Sequence, residues 1–151
     1  MPIRKIASFV CALSCALLAS SCRDPGPFDP LAKVAGSYTL TSANGQLPLR
    51  YFHTDMTGQT TVDLTSGTLV LTNRGTFEEI IQYHLTPPTG APYDLPAKVD
   101  GTYQLDKSNI TFTYLSTSGP YSWTGVVGEG TLTYTDPAFV DAGGLVAVYT
   151  R

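Results

Sequence analysis

Apolar and polar residues alternate from Val34 onward with the two-residue period of a β-strand. Between residues 36 and 41, for example, Tyr38 and Leu40 stand between small or polar neighbours. This alternation is typical of strands with one buried face, and no segment keeps a sustained helical period. The predicted strands are residues 36–41, 60–64, 67–72, 76–85, 101–105, 110–114, 121–127, 131–135 and 145–151. We therefore expect an all-β chain of about eight to ten short strands.

Short turn signals separate these strands. Asn44-Gly45 favours a tight hairpin because both residues tolerate positive φ, and Asn73-Arg74-Gly75 is typical of a hairpin loop with a left-handed glycine. Hairpins at regular spacing are typical of a β-sandwich or an antiparallel β-barrel. Strand number alone does not distinguish a closed sheet from two packed sheets.

One predicted strand carries a charge on its apolar face. In residues 76–85, the side chains of Phe77, Ile81 and Tyr83 share one face, and Glu79 falls in the same phase. A carboxylate among core residues is costly unless it is solvated or hydrogen-bonded. We therefore expect Glu79 to lie near an open end of the barrel.

The stretch from residue 86 to residue 96 is rich in proline. Four of its eleven residues are proline, including Pro96, and proline cannot donate a hydrogen bond to a strand ladder. We expect a stiff loop outside the sheet. Its Tyr93 and Leu95 are expected to pack down on the rim of the barrel, and capping of the barrel mouth is the alternative.

The first residues have the three-part pattern of a secretory signal. Arg4 and Lys5 precede an apolar run over residues 6–18, too short to span a bilayer, and small residues at 19–21 lead directly to Cys22. This pattern resembles bacterial lipoprotein signal peptides, in which that cysteine is lipidated and the signal is removed before it. The resemblance implies a cleaved signal at residues 1–21 and a lipid anchor on Cys22. An ordinary signal peptide cut nearby is the alternative.

The distribution of cysteines agrees with a lipid anchor. Cys11 and Cys15 would leave with the signal, so the mature chain would keep only Cys22. Lipidation would occupy a thiol that is otherwise exposed in an oxidising compartment. Residues 22–33 contain three prolines and are predicted to form a tether. Residues 34–151 form the predicted barrel domain.

Charge limits the partners of the chain. The net charge of -3 falls to -5 without Arg4 and Lys5, and the basic stripe of a nucleic-acid-binding protein is missing. An acidic body does not adhere to anionic lipid, so the anchor on Cys22 would hold the protein at the membrane of the cell envelope. In lipoproteins, aspartate directly after the lipidated cysteine retains the protein at the inner membrane. Arg23 stands there, so the resemblance favours the outer membrane where a cell has two.

The sequence lacks the residue constellations of a catalytic or metal site. His53 and His84 lie far apart on different predicted elements, whereas a metal site requires a close cluster. Glu78 and Glu79 are adjacent and so point to opposite faces of a strand, which prevents them from acting together as a general acid and base. No nucleophile elbow or phosphate-binding glycine loop occurs. We expect a non-catalytic protein with no cofactor.

A second resemblance rests on motifs distributed over the mature chain. They are Gly36-x-Tyr38, Asn44-Gly45-Gln46-Leu47-Pro48, Gly67-x-Leu69-x-Leu71, Gly75-Thr76-Phe77, Gly101-x-Tyr103 and Val148-Tyr149-Thr150-Arg151. With these motifs the chain resembles small bacterial lipocalin-like lipoproteins. In lipocalins a glycine-x-tryptophan opens the first strand, and an arginine near the last strand packs on that ring. The resemblance implies a single antiparallel up-and-down β-barrel, lipocalin-like, with a β-sandwich as the alternative. It also implies that Arg151 stacks on Tyr38, with a solvated terminal Arg151 as the alternative.

The aromatic residues of the predicted strands are the remaining candidates for a binding function. They alternate with polar residues and are Tyr38, Tyr103, Phe112, Tyr114, Trp123 and Tyr134. In a barrel they either fill the interior or line a ligand cavity. We favour filling, because an eight-stranded barrel is just wide enough to be filled by its own side chains.

Two functions are compatible with these patterns. The first is a monomeric, lipid-anchored envelope protein that binds a small apolar ligand inside the barrel, which requires a cavity above about 300 Å³. The alternative is a non-catalytic structural or protein-interaction module with a filled barrel and an exposed apolar patch on its loops.

Overall fold

A short helix precedes the first strand of the structure, a computed structural model that describes residues 29–151. The helix α1 (Pro30–Val34) begins where the Asp29 carboxylate accepts a hydrogen bond from the Leu31 amide at 2.9 Å, with proline in its first turn. Val34 is buried, and Leu31 packs against the barrel core. This helix lies in the segment that the sequence assigned to the tether, because capping and apolar contacts extend the folded domain toward the N-terminus.

Nine antiparallel strands follow. They are β1 (Gly36–Ala43), β2 (Leu49–Asp55), β3 (Gly58–Leu71), β4 (Thr76–Thr86), β5 (Tyr93–Asp106), β6 (Asn109–Ser116), β7 (Gly119–Val127), β8 (Thr131–Asp136) and β9 (Leu145–Thr150). A short 3-10 helix, Val140–Ala142, lies between β8 and β9. Neither helix of residues 29–151 is long and apolar enough to cross a membrane.

The sheet closes on itself. Each strand from β3 to β9 pairs with the next, and β1 pairs with both β9 and β3, so eight strands form a barrel and β2 is added beside β3. The predicted all-β antiparallel barrel is confirmed, and closure excludes the β-sandwich.

One edge of β3 pairs with two different strands, while its other edge pairs with β4. Its first half pairs with β2, and its second half pairs with β1 from Thr68 to Leu71. The sequence predicted two strands separated at Ser66-Gly67, but one strand runs through this point, with a β-bulge between Leu64 and Ser66. A Cβ on Gly67 would lie 3.1 Å from the Tyr149 hydroxyl oxygen. Glycine therefore lets the strand pass close to the interior.

The proline-rich loop is shorter than predicted. β5 begins at Tyr93, and Pro96 lies in the ladder opposite Gln82 of β4. The expectation that this proline stays outside the sheet is wrong. β5 pairs with β6 only from Thr102 onward, so Pro96 lies on a sheet edge, where a missing donor is tolerated.

The two ends of the barrel differ in packing. At one end, here called the base, the interior is filled by the buried side chains Tyr38, Leu69, Leu71, Phe77, Tyr103, Ile110, Phe112 and Leu132. The rings of Phe77 and Phe112 meet edge to face, with centroids 5.0 Å apart. At the other end, here called the mouth, inward-facing side chains such as Ile81, Tyr83 and Val99 are only partly buried. The barrel therefore has a solid base and an open mouth.

Arg151 closes the base in the way that the lipocalin resemblance implied. Its guanidinium carbon lies 4.8 Å from the centroid of the Tyr38 ring. The guanidinium also donates to the Tyr38 hydroxyl oxygen at 2.7 Å and to the Lys33 carbonyl at 2.9 Å, while the Tyr38 hydroxyl donates to the Val34 carbonyl. The predicted stack is confirmed, and it ties α1 to the first and last strands.

Candidate functional site

A cavity of about 170 Å³ lies inside the barrel between the filled base and the mouth. Strands β4 to β9 and the segment before the 3-10 helix supply its walls. Its lining residues are Glu79, Ile81, Tyr83, Ala97, Val99, Tyr114, Trp123, Tyr134, Asp136, Phe139 and Leu145. The predicted aromatic set thus divides by position, because Tyr38, Tyr103 and Phe112 fill the base while Tyr114, Trp123 and Tyr134 line the cavity.

Glu79 forms the floor of this cavity. Its side chain is only 3% exposed, and its Oε1 accepts hydrogen bonds from the Tyr134 hydroxyl at 2.6 Å and from the Tyr149 hydroxyl. These bonds explain how a carboxyl is tolerated in the barrel. Burial raises the pKa of Glu79 above its ordinary value, the Asp136 charge adds to that rise, and the two hydroxyls oppose it.

The placement of Glu79 departs from its sequence-based prediction. We expected it near an open end, where water would solvate it, whereas tyrosine hydroxyls take the place of water inside the barrel. The same arrangement raises the pKa of Tyr134 and of Tyr149, because each is buried beside this carboxyl.

A second carboxyl lies toward the mouth. Asp136 is half-buried at the end of β8, and its Oδ1 accepts a hydrogen bond from the Tyr121 hydroxyl at 2.6 Å and from the Ala138 amide at 2.9 Å. Both bonds go to the same oxygen. Oδ2 therefore keeps its acceptor capacity for another group.

Trp123 carries an unsatisfied donor in the cavity wall. The residue is 7% exposed, and its indole Nε1–H, although buried, has no hydrogen-bond partner among the described residues. The ring of Tyr114 stands edge to face against the indole, with centroids 5.8 Å apart. The nitrogen is enclosed by protein atoms, so the unpaired donor costs stability, and Trp123 borders the cavity through the rest of its ring.

A groove of about 430 Å³ lies at the mouth, on the inner face of the part of β2–β5 that extends beyond the barrel. Tyr83 borders both this groove and the cavity. The groove is lined by Tyr51, His53, Asp55, Thr60, Val62, Tyr83, Leu85, Tyr93, Leu95 and Asp141. Burial and the Asp141 charge raise the pKa of Tyr51 to about 12.

Tyr93 and Leu95 line the groove instead of packing on the rim. They remain 50% and 46% exposed, so the prediction that they pack down is wrong. Both residues pair with β4, but no strand lies on the other side of β5 here, because β6 pairs with β5 only from Thr102 onward. Their apolar surface is therefore available at the mouth.

The two histidines lie apart, each beside a carboxylate. His53 Nδ1 is 2.8 Å from Asp141 Oδ2 in the groove, and His84 Nδ1 is 2.7 Å from Asp94 Oδ1 across the β4–β5 ladder. Within residues 29–151, no three histidine, cysteine or acidic side chains are grouped in a way that could hold a metal ion.

Other predicted site features have different outcomes. Glu78 pairs with Lys98 at 2.7 Å on the outer face while Glu79 faces inward, as expected for neighbours on a strand.

Cys22, with the predicted signal and most of the tether, lies outside the described residues. The cavity inside the barrel is about 170 Å³ and falls short of the volume of about 300 Å³ expected for a ligand held wholly inside. The larger groove lies at the mouth.

No protein-family profile matches the chain, and no curated protein and no solved structure matches it either.

Proposed function

We propose that this chain is a non-catalytic, lipid-anchored protein of the cell envelope that holds a small amphipathic ligand in the open half of its barrel. The polar end of the ligand enters the cavity, and the apolar part lies in the mouth groove. The lipocalin-like motifs and the Tyr38–Arg151 closure of the base are in keeping with this role.

The observation that carries the proposal is a carboxyl with a free oxygen in an aromatic-lined cavity. Both tyrosine bonds to Glu79 end on Oε1, and Oε2 has no hydrogen-bond partner among the described residues. A ligand hydroxyl in the cavity would donate to Oε2 while its carbon atoms pack against Trp123 and Tyr114. Burial of an alkyl chain against Val62, Leu85 and other groove residues supplies affinity of about 0.8 kcal/mol for each buried CH₂.

Isothermal titration calorimetry with decan-1-ol tests the proposal on the processed chain carrying Cys22→Ser. We expect one ligand per protein. Ala97 lines the cavity, so Ala97→Leu fills part of its volume and is expected to weaken binding by about tenfold or more, which corresponds to about 1.4 kcal/mol.

Ala32→Leu is the matched control, because Ala32 is exposed on α1 at the opposite end of the barrel. It adds the same atoms and is expected to leave the affinity unchanged. Absence of binding, or equal affinities in both variants, would overturn the proposed ligand role.

The anchor is tested by membrane fractionation of cells that express the full chain. Cys22→Ser is expected to move the protein from the envelope fraction to a soluble secreted or periplasmic fraction, because it removes the acylated thiol. Cys15→Ser makes the same change within the predicted signal and should leave the protein at the membrane. A Cys22→Ser protein that still sediments with membranes would contradict the anchor.

The alternative is an envelope interaction module that binds no ligand. It is favoured by the filled base and by two apolar side chains, Met56 and Leu115, that are almost fully exposed near hairpin ends. Failure of decan-1-ol to bind, with the fold intact, would favour this second function.

A further inference from the structure

The charged side chains that line the cavity and the groove are mainly acidic. Glu79 and Asp136 line the cavity, and Asp55 and Asp141 line the groove. Among the described lining residues there is no lysine or arginine, and the only basic side chain, His53, is paired with Asp141. A cleft lined by charges of one sign attracts ligands of the opposite sign and repels those of the same sign.

Each cavity carboxyl keeps one oxygen free of hydrogen bonds from the described residues. The tyrosine hydroxyls that bind Glu79 both reach Oε1. The Tyr121 hydroxyl and the Ala138 amide that bind Asp136 both reach Oδ1. Oε2 of Glu79 and Oδ2 of Asp136 are thus left to interact with a group inside the cavity.

Aromatic rings also affect the electrostatic potential in the cavity. Trp123, Tyr114 and Tyr134 line the same space, and the Tyr114 and Trp123 planes meet at 69°. The faces of such rings carry negative electrostatic potential and attract a cation within about 6 Å of the centroid, tryptophan most strongly. Free carboxylate oxygens beside aromatic faces are a chemical environment that favours positive charge.

The size of the cavity limits the group that enters. A volume of about 170 Å³ equals the liquid volume of about five or six water molecules at about 30 Å³ each. A headgroup of a few heavy atoms therefore fits, while an attached chain must leave through the mouth groove.

We propose that the polar group of the ligand is a cation, namely a primary amine or a quaternary ammonium carried by an apolar chain. This inference rests on the proposed ligand-binding function and narrows it to cationic amphiphiles. The ammonium lies between Glu79 Oε2 and Asp136 Oδ2 against the aromatic faces, and the chain lies along Leu85 and Leu95 of the groove.

Three probes that share a ten-carbon chain isolate the effect of the headgroup. Calorimetry on the processed Cys22→Ser chain near neutral pH compares decyltrimethylammonium, decan-1-ol and decyl sulfate, each below its micelle concentration. We expect the cation to bind at least about tenfold more tightly than the alcohol, a difference of about 1.4 kcal/mol. The sulfate is expected to bind most weakly of the three.

Substitutions of the carboxyls then test the origin of the preference. Glu79→Gln is expected to lower the ratio of cation affinity to alcohol affinity by about tenfold. Glu78→Gln removes the same charge from the neighbouring residue on the outer face and should leave the ratio unchanged. Asp136→Asn is the second cavity variant, and it keeps the test valid if Glu79→Gln does not fold.

The outcomes separate this inference from the function on which it rests. Equal affinity for cation and alcohol, preference for the sulfate, or an unchanged ratio in the folded cavity variants would overturn the cation inference while ligand binding stands. Absence of binding by all three probes would overturn both.

Discussion

Tyr38 and Arg151 join the two ends of the folded chain at the base of the barrel. The guanidinium stacks on the ring and also donates to the hydroxyl oxygen. Because one pair of side chains makes both contacts, removal of either partner should remove the interaction. A double-mutant cycle with Tyr38→Leu and Arg151→Gln is expected to show a coupling free energy of about 0.5–1 kcal/mol in chemical denaturation.

Strictly additive losses in that cycle would show that the stack contributes nothing to stability. A matched cycle of Tyr38→Leu with Arg74→Gln provides the control, since Arg74 is exposed in the β3–β4 loop. That second cycle is expected to give no coupling.

Glu79 makes stability depend on pH in a defined direction. Burial raises the pKa of its carboxyl above the ordinary value of 4.5, so the folded state holds the proton more strongly than the unfolded state. The contribution of Glu79 to the free energy of unfolding is therefore highest below that value and falls as pH rises toward the folded pKa. Glu79→Gln abolishes the titration and should gain stability over wild type by up to about 1.4 kcal/mol per pH unit in this window.

Guanidinium denaturation at a series of pH values from about 4 to 8 measures this difference. Asp63 does not interfere, because its pKa is lowered by hydrogen bonding to Arg50 and its effect on stability appears only as pH falls further. Glu78→Gln provides the control. A stability difference between Glu79→Gln and wild type that stays constant over the whole range would contradict the buried titration.

Individual site residues could be predicted only in part from the sequence. Glu79 broke the apolar phase of its strand, and that irregularity was the signal of a polar group inside the barrel. Asp136 follows Tyr134 in the same phase and could have been found by the same test. The unsatisfied indole of Trp123 could not, because hydrogen-bond partners depend on which strands become neighbours.

At the scale of elements, turns were easier to predict than strand lengths. Asn44-Gly45 and the loop at residues 73–75 adopt the expected positive φ angles at Asn44, Gly45 and Gly75, since those angles depend on local chemistry. The bulge in β3 and the inclusion of Pro96 in β5 were missed. Both depend on which strand lies alongside, and that information is distributed over the whole chain.

Gly101 marks the point where β5 enters the closed part of the barrel. A Cβ there would overlap the Thr113 carbonyl oxygen and lie 2.9 Å from Phe77 Cε1. Backbone of a neighbouring strand cannot move aside cheaply, so Gly101→Ala is expected to cost about 1–3 kcal/mol in the free energy of unfolding. Chemical denaturation measures the loss.

Gly128→Ala is the matched control for that substitution. Its Cβ would contact mainly the Thr131 hydroxyl at 2.7 Å, and a side-chain hydroxyl can rotate away. We expect a change within about 0.5 kcal/mol. Equal effects of the two substitutions would show that strand contact at Gly101 does not limit the barrel.

At the scale of the whole molecule, the barrel combines a rigid base with an open acidic mouth. The aromatic residues nearest the base fill the interior, and those farther along the same strands line a cavity. Strand spacing predicted the all-β architecture, and the lipocalin resemblance favoured closure. A filled interior was the favoured prediction, and it holds at the base but not toward the mouth, where inward-facing side chains leave a cavity.

Binding of a ligand in the cavity beside Trp123 can be observed directly. Trp123 is the only tryptophan in the chain, so its indole Nε1–H gives a single cross-peak in a ¹⁵N–¹H correlation spectrum. Titration with decan-1-ol is predicted to shift this peak with the Kd found by calorimetry, because the ligand changes the surroundings of the indole ring that lines the cavity. An indole peak that stays in place at saturating ligand would contradict the claim.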